Sequence, residues 1–258
     1  MNDSFVKTAG PETDPDFFAA EAASLRWLSA GGARVVEVIS VSADRIELQR
    51  VTTTRPTVAA AEAFGDMLAR THDAGADAFG SLPDGYDGRQ LIGKLPLPIV
   101  MLDRWGEFYA SARVLPFLEA GIAAGNVSAR DAELTRDACD LIASGKFDDG
   151  ASPARLHGDL WGGNVMWTPE GAVLIDPAAH GGHRETDLAM LALFGCPHLD
   201  SIVDGYQRRH PLTDGFRQRI PMHQLHPLAV HSVRHGPGYG VALGDAARKT
   251  LELAGGGG

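Results

Sequence analysis

The chain has 258 residues, 44% of them hydrophobic, and a formal net charge of −10. That supports a sizeable core in one large or two small domains, and the acidic balance argues against nucleic acid or an anionic membrane as the main partner. No apolar run approaches the roughly 18 residues a membrane span needs. The opening "MNDSFVKTAG" has no basic or apolar region of a signal peptide, and two cysteines, Cys139 and Cys196, fit reduced thiols in a cytoplasmic protein.

In chain order, residues 4–8, "SFVKT", read as a short strand. "DPDFFAAEAASLRWLSAGG" reads as a helix, with Asp14 as its cap and Pro15 in the first helical position, stopped by Gly31 and Gly32. "ARVVEVIS" and "DRIELQRV" look like two antiparallel strands. A helix is expected from Val58 to about Ala74, with Phe64, Met67, Leu68 and Thr71 on one face. The stretch 75–98 holds so many Gly and Pro residues that regular structure is not expected there. An irregular loop of that length usually serves a function. Helices follow near 102–124 and 128–144, the second capped by Ser128, and further helical segments near 184–194, 213–235 and 239–253. The closing "GGGG", 255–258, reads as a tail.

The chemistry concentrates in "LHGDLWGGNVMWTPEGAVLIDPAA". "VMW" and "AVLI" are short β-type runs, and "TPEG" between them is a turn with Pro second and Gly fourth. The hairpin they predict carries Asp176 back beside Asn164, and Asp159 lies five residues before Asn164. Three polar groups are thereby gathered at one end of a hairpin. Phosphoryl transfer to a hydroxyl needs a carboxylate to orient that hydroxyl and accept its proton, and hard oxygen ligands for Mg²⁺ on the nucleotide phosphates. D-x-x-x-x-N followed by a later Asp is the kinase arrangement, with Asp159 as base and Asn164 and Asp176 as metal ligands. Taken alone, D-x-x-x-x-N is better read as a Gly-rich turn with a capping Asp and a buried Asn. The full string His-Gly-Asp, Asn, Ile-Asp favours the chemical reading.

The segment "LHGDLWGGNV…VLIDPAAHGGHRETDLAMLALFG" resembles the signature of the fructosamine kinase (ketosamine 3-kinase) family, in the aminoglycoside-phosphotransferase-like branch of the protein kinase fold. The resemblance implies an α+β, two-lobed fold: a reduced β-rich N-terminal lobe over 1–54 and a mostly helical C-terminal lobe over 55–254. The family carries a Gly-rich loop and two strands ahead of its "FVK" strand. This sequence starts four residues before that strand, so a lobe without the loop, or a natural start upstream, is expected. The resemblance further implies ATP and Mg²⁺ as cofactors. It assigns Lys7 to the nucleotide phosphates, Glu21 to pairing with Lys7, and Gln49 and Val51 in "LQRV" to backbone contacts with adenine. His157 and Asp187 would support the catalytic loop. Trp161 and His231 would face the substrate, a small-molecule ketoamine whose phosphorylation promotes deglycation. "LPLPI" departs from the family's "LPQPN", placing Leu97 and Ile99 where polar residues are usual. Two other readings stand beside this one: a kinase for another hydroxyl acceptor, such as an aminoglycoside or a choline-like compound, and a non-catalytic nucleotide-binding protein. His223, His226, His231 and His235 invite a metal reading, but their spacing does not put all four on one helix face.

Overall fold

The computed structural model describes residues 4–255. Of the tail expected at 255–258, Gly255 closes the last helix and the rest lies outside the described residues.

Strand β1 (Ser4–Thr8) is followed by helix α1 (Phe17–Ala30) and the strands β2 (Val38–Val41) and β3 (Arg45–Gln49). They form an antiparallel sheet in the order β1-β3-β2, with Lys7 opposite Ile46. Alternation sets the faces: Ile46 and Leu48 are buried on β3, while Arg45 and Gln49 point out. The buried pair packs against Phe18, Ala22 and Leu25 of α1. Asp14 does not cap this helix. It accepts a hydrogen bond from the backbone N–H of Asp16 at 3.0 Å and pairs with Arg89, so Pro15 precedes the helix and Asp16 stands at its cap position.

The first of the two strands expected here is shorter than its apolar run. Residues 34–36 leave the sheet and bond elsewhere: Leu174 donates to Arg34 O at 2.9 Å and Val36 donates to Leu174 O at 3.0 Å. This parallel bridge fastens the N-terminal sheet to the hairpin that carries Asp176.

Helix α2 (Val58–Asp73) begins at Thr57, whose hydroxyl accepts from Ala60 N–H. Regular structure does occur in the breaker-rich stretch, as a hairpin of β4 (Gln90–Ile92) and β5 (Leu95–Leu97). Its breakers make the turn rather than forbid it, because Gly93, at φ 54°, supplies the left-handed residue of a two-residue connection with Lys94. Helix α3 (Trp105–Phe108) continues through a wide π-type turn, Tyr109–Val114, into α4 (Leu115–Ala123). Helix α5 (Ala129–Ala143) is capped by Ser128, which accepts from Asp131 N–H. Strand β6 (Ala154–Leu156) precedes the hairpin β7 (Val165–Thr168) and β8 (Gly171–Leu174), closed by the Pro169–Glu170 turn. β6 pairs with β9 (His180–Gly182). β6 alternates over only three residues and β9, His-Gly-Gly, does not alternate at all, so the long-range pairing defines them.

The rest is helical: α6 (Glu185–Leu193), α7 (Leu199–Arg209), α8 (Phe216–His223), α9 (Leu225–Arg234) and α10 (Pro237–Gly255). The expected helix over 213–235 is broken at Gln224, and α7 lies outside the helical spans expected from spacing. Among the described residues no helix is long and apolar enough to cross a membrane.

Helices α2 and α7 touch backbone to backbone. A Cβ on Gly65 would sit 1.9 Å from Ile202 O, and one on Gly205 would sit 2.1 Å from Glu62 O. Helix propensity alone would favour Ala at Gly65 by about 1 kcal/mol. The clash reverses that sign, so Gly65→Ala should destabilise the chain by about 1–3 kcal/mol. Thermal or denaturant unfolding measures it, and a variant at least as stable as the parent would refute the close crossing.

Candidate active site

Strand β6 ends in a loop held from beneath by Asp187 at the start of α6. Asp187 is 1% exposed, and its carboxylate accepts from His157 N–H at 2.7 Å and Gly158 N–H at 3.0 Å. His72 on α2 lies 3.2 Å from the same carboxylate through Nε2. Burial works against the Asp187 charge, but the hydrogen bonds from His72 and the two backbone N–H groups hold its carboxyl below the usual range. Burial also keeps His72 neutral. Its Nε2–H then donates to Asp187, and Nδ1 accepts from Tyr206 Oη at 2.8 Å.

Gly158 is the tight point of the loop. Its φ is +80°, and a Cβ there would lie 2.1 Å from Ala178 O. The next residue, Asp159, is half-buried. His157 is buried and kept neutral by its surroundings, so its Nε2–H donates to Ile175 O at 3.0 Å while Nδ1 accepts from Asp159 N–H at 3.3 Å. One imidazole therefore ties the backbone of Asp159 to the residue before Asp176.

Asn164 closes a single helical turn, Gly162–Asn164. Its Nδ2 donates to Asp159 O at 2.8 Å and to Asp159 Oδ2 at 3.3 Å, which leaves Oδ1 as an acceptor. Asn164 O accepts from Ile175 N–H at 3.1 Å, so the hairpin places Asp176 at the same end. Asp176 is exposed and sits at φ +53°, a conformation that costs a non-glycine residue of order 1 kcal/mol and marks functional positions.

The structure brings Lys7 of β1 and Glu21 of α1 together at 2.7 Å, and the amine also pairs directly with Asp176. Burial opposes the Lys7 charge, but the Glu21 and Asp176 carboxylates outweigh it and raise the amine above its ordinary range. Asp159 is in the opposite situation. No cation bonds it among the described residues, and burial pushes its carboxyl up to about 7 despite the Asn164 hydrogen bond. Burial thus raises Asp159 while hydrogen bonds lower nearby Asp187, opposite shifts that are the pattern of acid/base sites.

Three clefts meet here. An apolar one of about 370 Å³ is lined by Val36, Leu48, Met166 and Ile175, with Gln49 and Val51 on its wall and Lys7 and Asp176 at its mouth. A second, of about 280 Å³, contains Lys7, Glu21, Asp159, Asn164 and Asp176. A third, of about 540 Å³, shares Asp159 and Trp161 with the second and extends to His231. Trp161 is 41% exposed and meets Phe194 edge-on at 6.2 Å, and Phe194 lies 4.9 Å from His231.

The four C-terminal histidines separate: His231 and His235 reach the third cleft, while His223 and His226 are buried elsewhere. His223 instead joins His183 and Glu185, whose ligand atoms lie within 4.8 Å of one another. Arg219 already forks onto that Glu185 carboxylate, supplying the positive charge a cation would bring. Sequence reasoning missed His72 and Phe194. Phe194 lay inside the quoted "LALFG" without any spacing to single it out, and His72 meets Asp187 only through the fold.

A family model described as fructosamine kinase matches residues 1–252. The probable ketoamine kinase YniA of Escherichia coli (strain K12) is 35% identical over 237 residues, covering 88% of this chain and 78% of its own. A solved structure of a candidate fructosamine-3-kinase from Thermobifida fusca superposes with a TM-score of 0.90 at 43% identity, over 96% of this chain and 85% of that one. An aminoglycoside phosphotransferase shares the fold alone, with a TM-score of 0.61 at 14% identity over 99% and 87% of the two chains.

The raised carboxyl of Asp159 has a consequence for stability. A carboxyl whose folded pKa exceeds its unfolded value of about 3.9 contributes stability fully present below that pH and lost as pH rises through about 7. Asp159→Asn, which cannot ionise, should melt higher than the parent at pH 8 and show a smaller or no gain at pH 4. Thermal scans without nucleotide or divalent cation test this. A variant less stable at pH 8 would mean that the carboxylate is not held at an ionic cost.

Proposed function

This chain belongs to the fructosamine kinase family, and we propose that Asp159 is the base of its phosphoryl transfer, with Lys7 on the nucleotide phosphates. The enzyme is an ATP-dependent phosphotransferase with an alcohol acceptor, and the acceptors are ketoamines of the fructosamine type. The observation that carries the roles is the position of Asp159, at the junction of the phosphate-side and acceptor-side clefts.

Adenine fits the apolar cleft, with its edge on the backbone at Gln49 and Val51. The phosphates then run toward Lys7, which Glu21 orients from α1. Asp176 and the free Oδ1 of Asn164 are hard oxygen donors at one end of the hairpin, a set that suits Mg²⁺. When bound, that ion supplies charge neutralisation on the phosphoryl oxygens. Asp159 orients the sugar hydroxyl and takes its proton as that oxygen bonds the γ-phosphorus of ATP and the bond from the γ-phosphorus to the bridging oxygen breaks, ADP leaving with the electron pair; burial raises the Asp159 carboxyl to about 7. Trp161 offers the sugar a flat apolar face, and His231 borders the same space. Asp187 and His157 act through the loop backbone. We assign residues up to about 54 to the nucleotide lobe and those from 55 to the acceptor lobe, and place the enzyme in the cytoplasm, in keeping with its two free thiols.

Mg-ATP consumption with a ribulosamine or fructosamine amino acid as acceptor tests the reading. Asp159→Asn should lower kcat by about 10²–10⁴-fold, the usual contribution of a positioned base. Unchanged turnover would remove Asp159 from that role. Lys7→Met should weaken ATP use while leaving the acceptor KM nearly unchanged, and steady-state kinetics in both substrates separates the two. A raised acceptor KM with normal ATP dependence would place Lys7 on the wrong cleft.

A further inference from the structure

The acceptor-side cleft carries a charge pattern that the transfer step does not use. Its walls are largely apolar, with Ile92, Leu95, Phe194 and Tyr239 among them, and its fixed cations are Lys94 and Arg234. Asp159 is the single acid lining it among the described residues. In a chain of net charge −10, this is a local inversion. Arg234 stands exposed in the last turn of α9, and no described carboxylate or carbonyl engages its guanidinium. Lys94, in the turn of the β4–β5 hairpin, has only the exposed Glu12 at 3.8 Å. The helix dipole favours an Arg at a helix C-terminus, but it does not call for a second cation from another hairpin on the same cleft.

The rings give the cleft a direction. Trp161, beside the base, meets Phe194; Phe194 meets His231; and Arg234 lies about one helical turn beyond His231. A sugar seated at Trp161 therefore shares one cleft with these rings and with both cations.

We infer that the acceptor is the ketoamine of a free amino acid, with its α-carboxylate held by Arg234 and Lys94 and an apolar side chain against Phe194 and Tyr239. This rests on the kinase reading of the same site. The guanidinium fork matches a carboxylate in a bidentate arrangement. A ketoamine on a protein lysine presents uncharged peptide groups at that end and leaves both cations without a partner.

The test compares kcat/KM for the fructosamine of leucine, the fructosamine of leucinamide, and the ε-fructosamine of Nα-acetyl-lysine amide. The parent enzyme should prefer the leucine acid over its amide by about tenfold or more, as expected for a charge-assisted contact. The amide also changes the basicity of the ketoamine nitrogen, so the informative quantity is how the acid-to-amide ratio responds to substitution. It should fall toward one in Arg234→Gln and be partly kept in Arg234→Lys. Both variants change an exposed side chain, so folding is not at stake. An acid-to-amide ratio near one in the parent, a ratio that survives Arg234→Gln combined with Lys94→Gln, or a preference for the lysine adduct would overturn this inference while leaving the kinase assignment intact. Turnover of none of the adducts would overturn both.

Discussion

The site depends on one buried carboxylate. Asp187 accepts two consecutive backbone N–H groups, those of His157 and Gly158, and thereby fixes the loop that presents Asp159. Burying a charge is costly unless it is fully hydrogen-bonded, and the cost here is offset by three donors on one side chain. The network does not stop there. His72 passes it to Tyr206, whose hydroxyl accepts from Arg184 at 3.0 Å, and Arg184 pairs with Asp73 at 3.0 Å. Residues of α2, α6 and α7 are thus joined under the loop. The close crossing of α2 and α7 at Gly65 and Gly205 sets how near Tyr206 can come to His72. A packing constraint between two helices is therefore also a constraint on the position of Asp159.

Above that base, small local devices fix the remaining groups. The His157 ring spans Ile175 O and Asp159 N–H, and Asn164 answers with Nδ2 on Asp159 and its own carbonyl on Ile175 N–H. These bonds hold Asp159 and Asp176 in a common frame but in different media. Asp159 sits in a partly desolvated position with no cation bonded to it among the described residues, while Asp176 is solvated and paired with Lys7. Burial can then keep Asp159 protonatable near neutral pH. The positive φ of Asp176 belongs to this arrangement: the strand must turn out of β8 at that residue for its carboxylate to face Lys7.

Much of this was legible in the sequence where the signal is local. The D-x-x-x-x-N spacing, the TPEG turn and the later Asp define a hairpin whose register needs no distant partner, and the hairpin over 165–174 followed. The Ser128 cap and α2 were readable for the same reason. What sequence could not carry was long-range. Strands β6 and β9 are three residues each, and "HGG" has no strand propensity; they exist because they pair. Asp14 looked like a helix cap, but Arg89, 75 residues away, competes for it. The β4–β5 hairpin was hidden because Gly93 was read as a breaker rather than as a turn residue. Arg234 was a last-turn arginine with nothing local to distinguish it, and its importance lies in what surrounds it after folding.

The two sides of Asp159 also differ in how they treat charge. On the nucleotide side, Lys7 is already balanced by two carboxylates, so the phosphates enter a place where a cation is held ready but not in excess. Divalent metal would add the positive charge that the protein alone does not supply there. On the acceptor side the balance is reversed: Arg234 and Lys94 line a mostly apolar cleft against a single acid that is itself neutral for part of the physiological range. Potentials in such clefts are set by the nearest few groups and by low-dielectric walls, not by net charge. The overall acidity of the chain, which speaks against polyanionic partners, therefore leaves room for a small anionic group in the cleft that also holds the base.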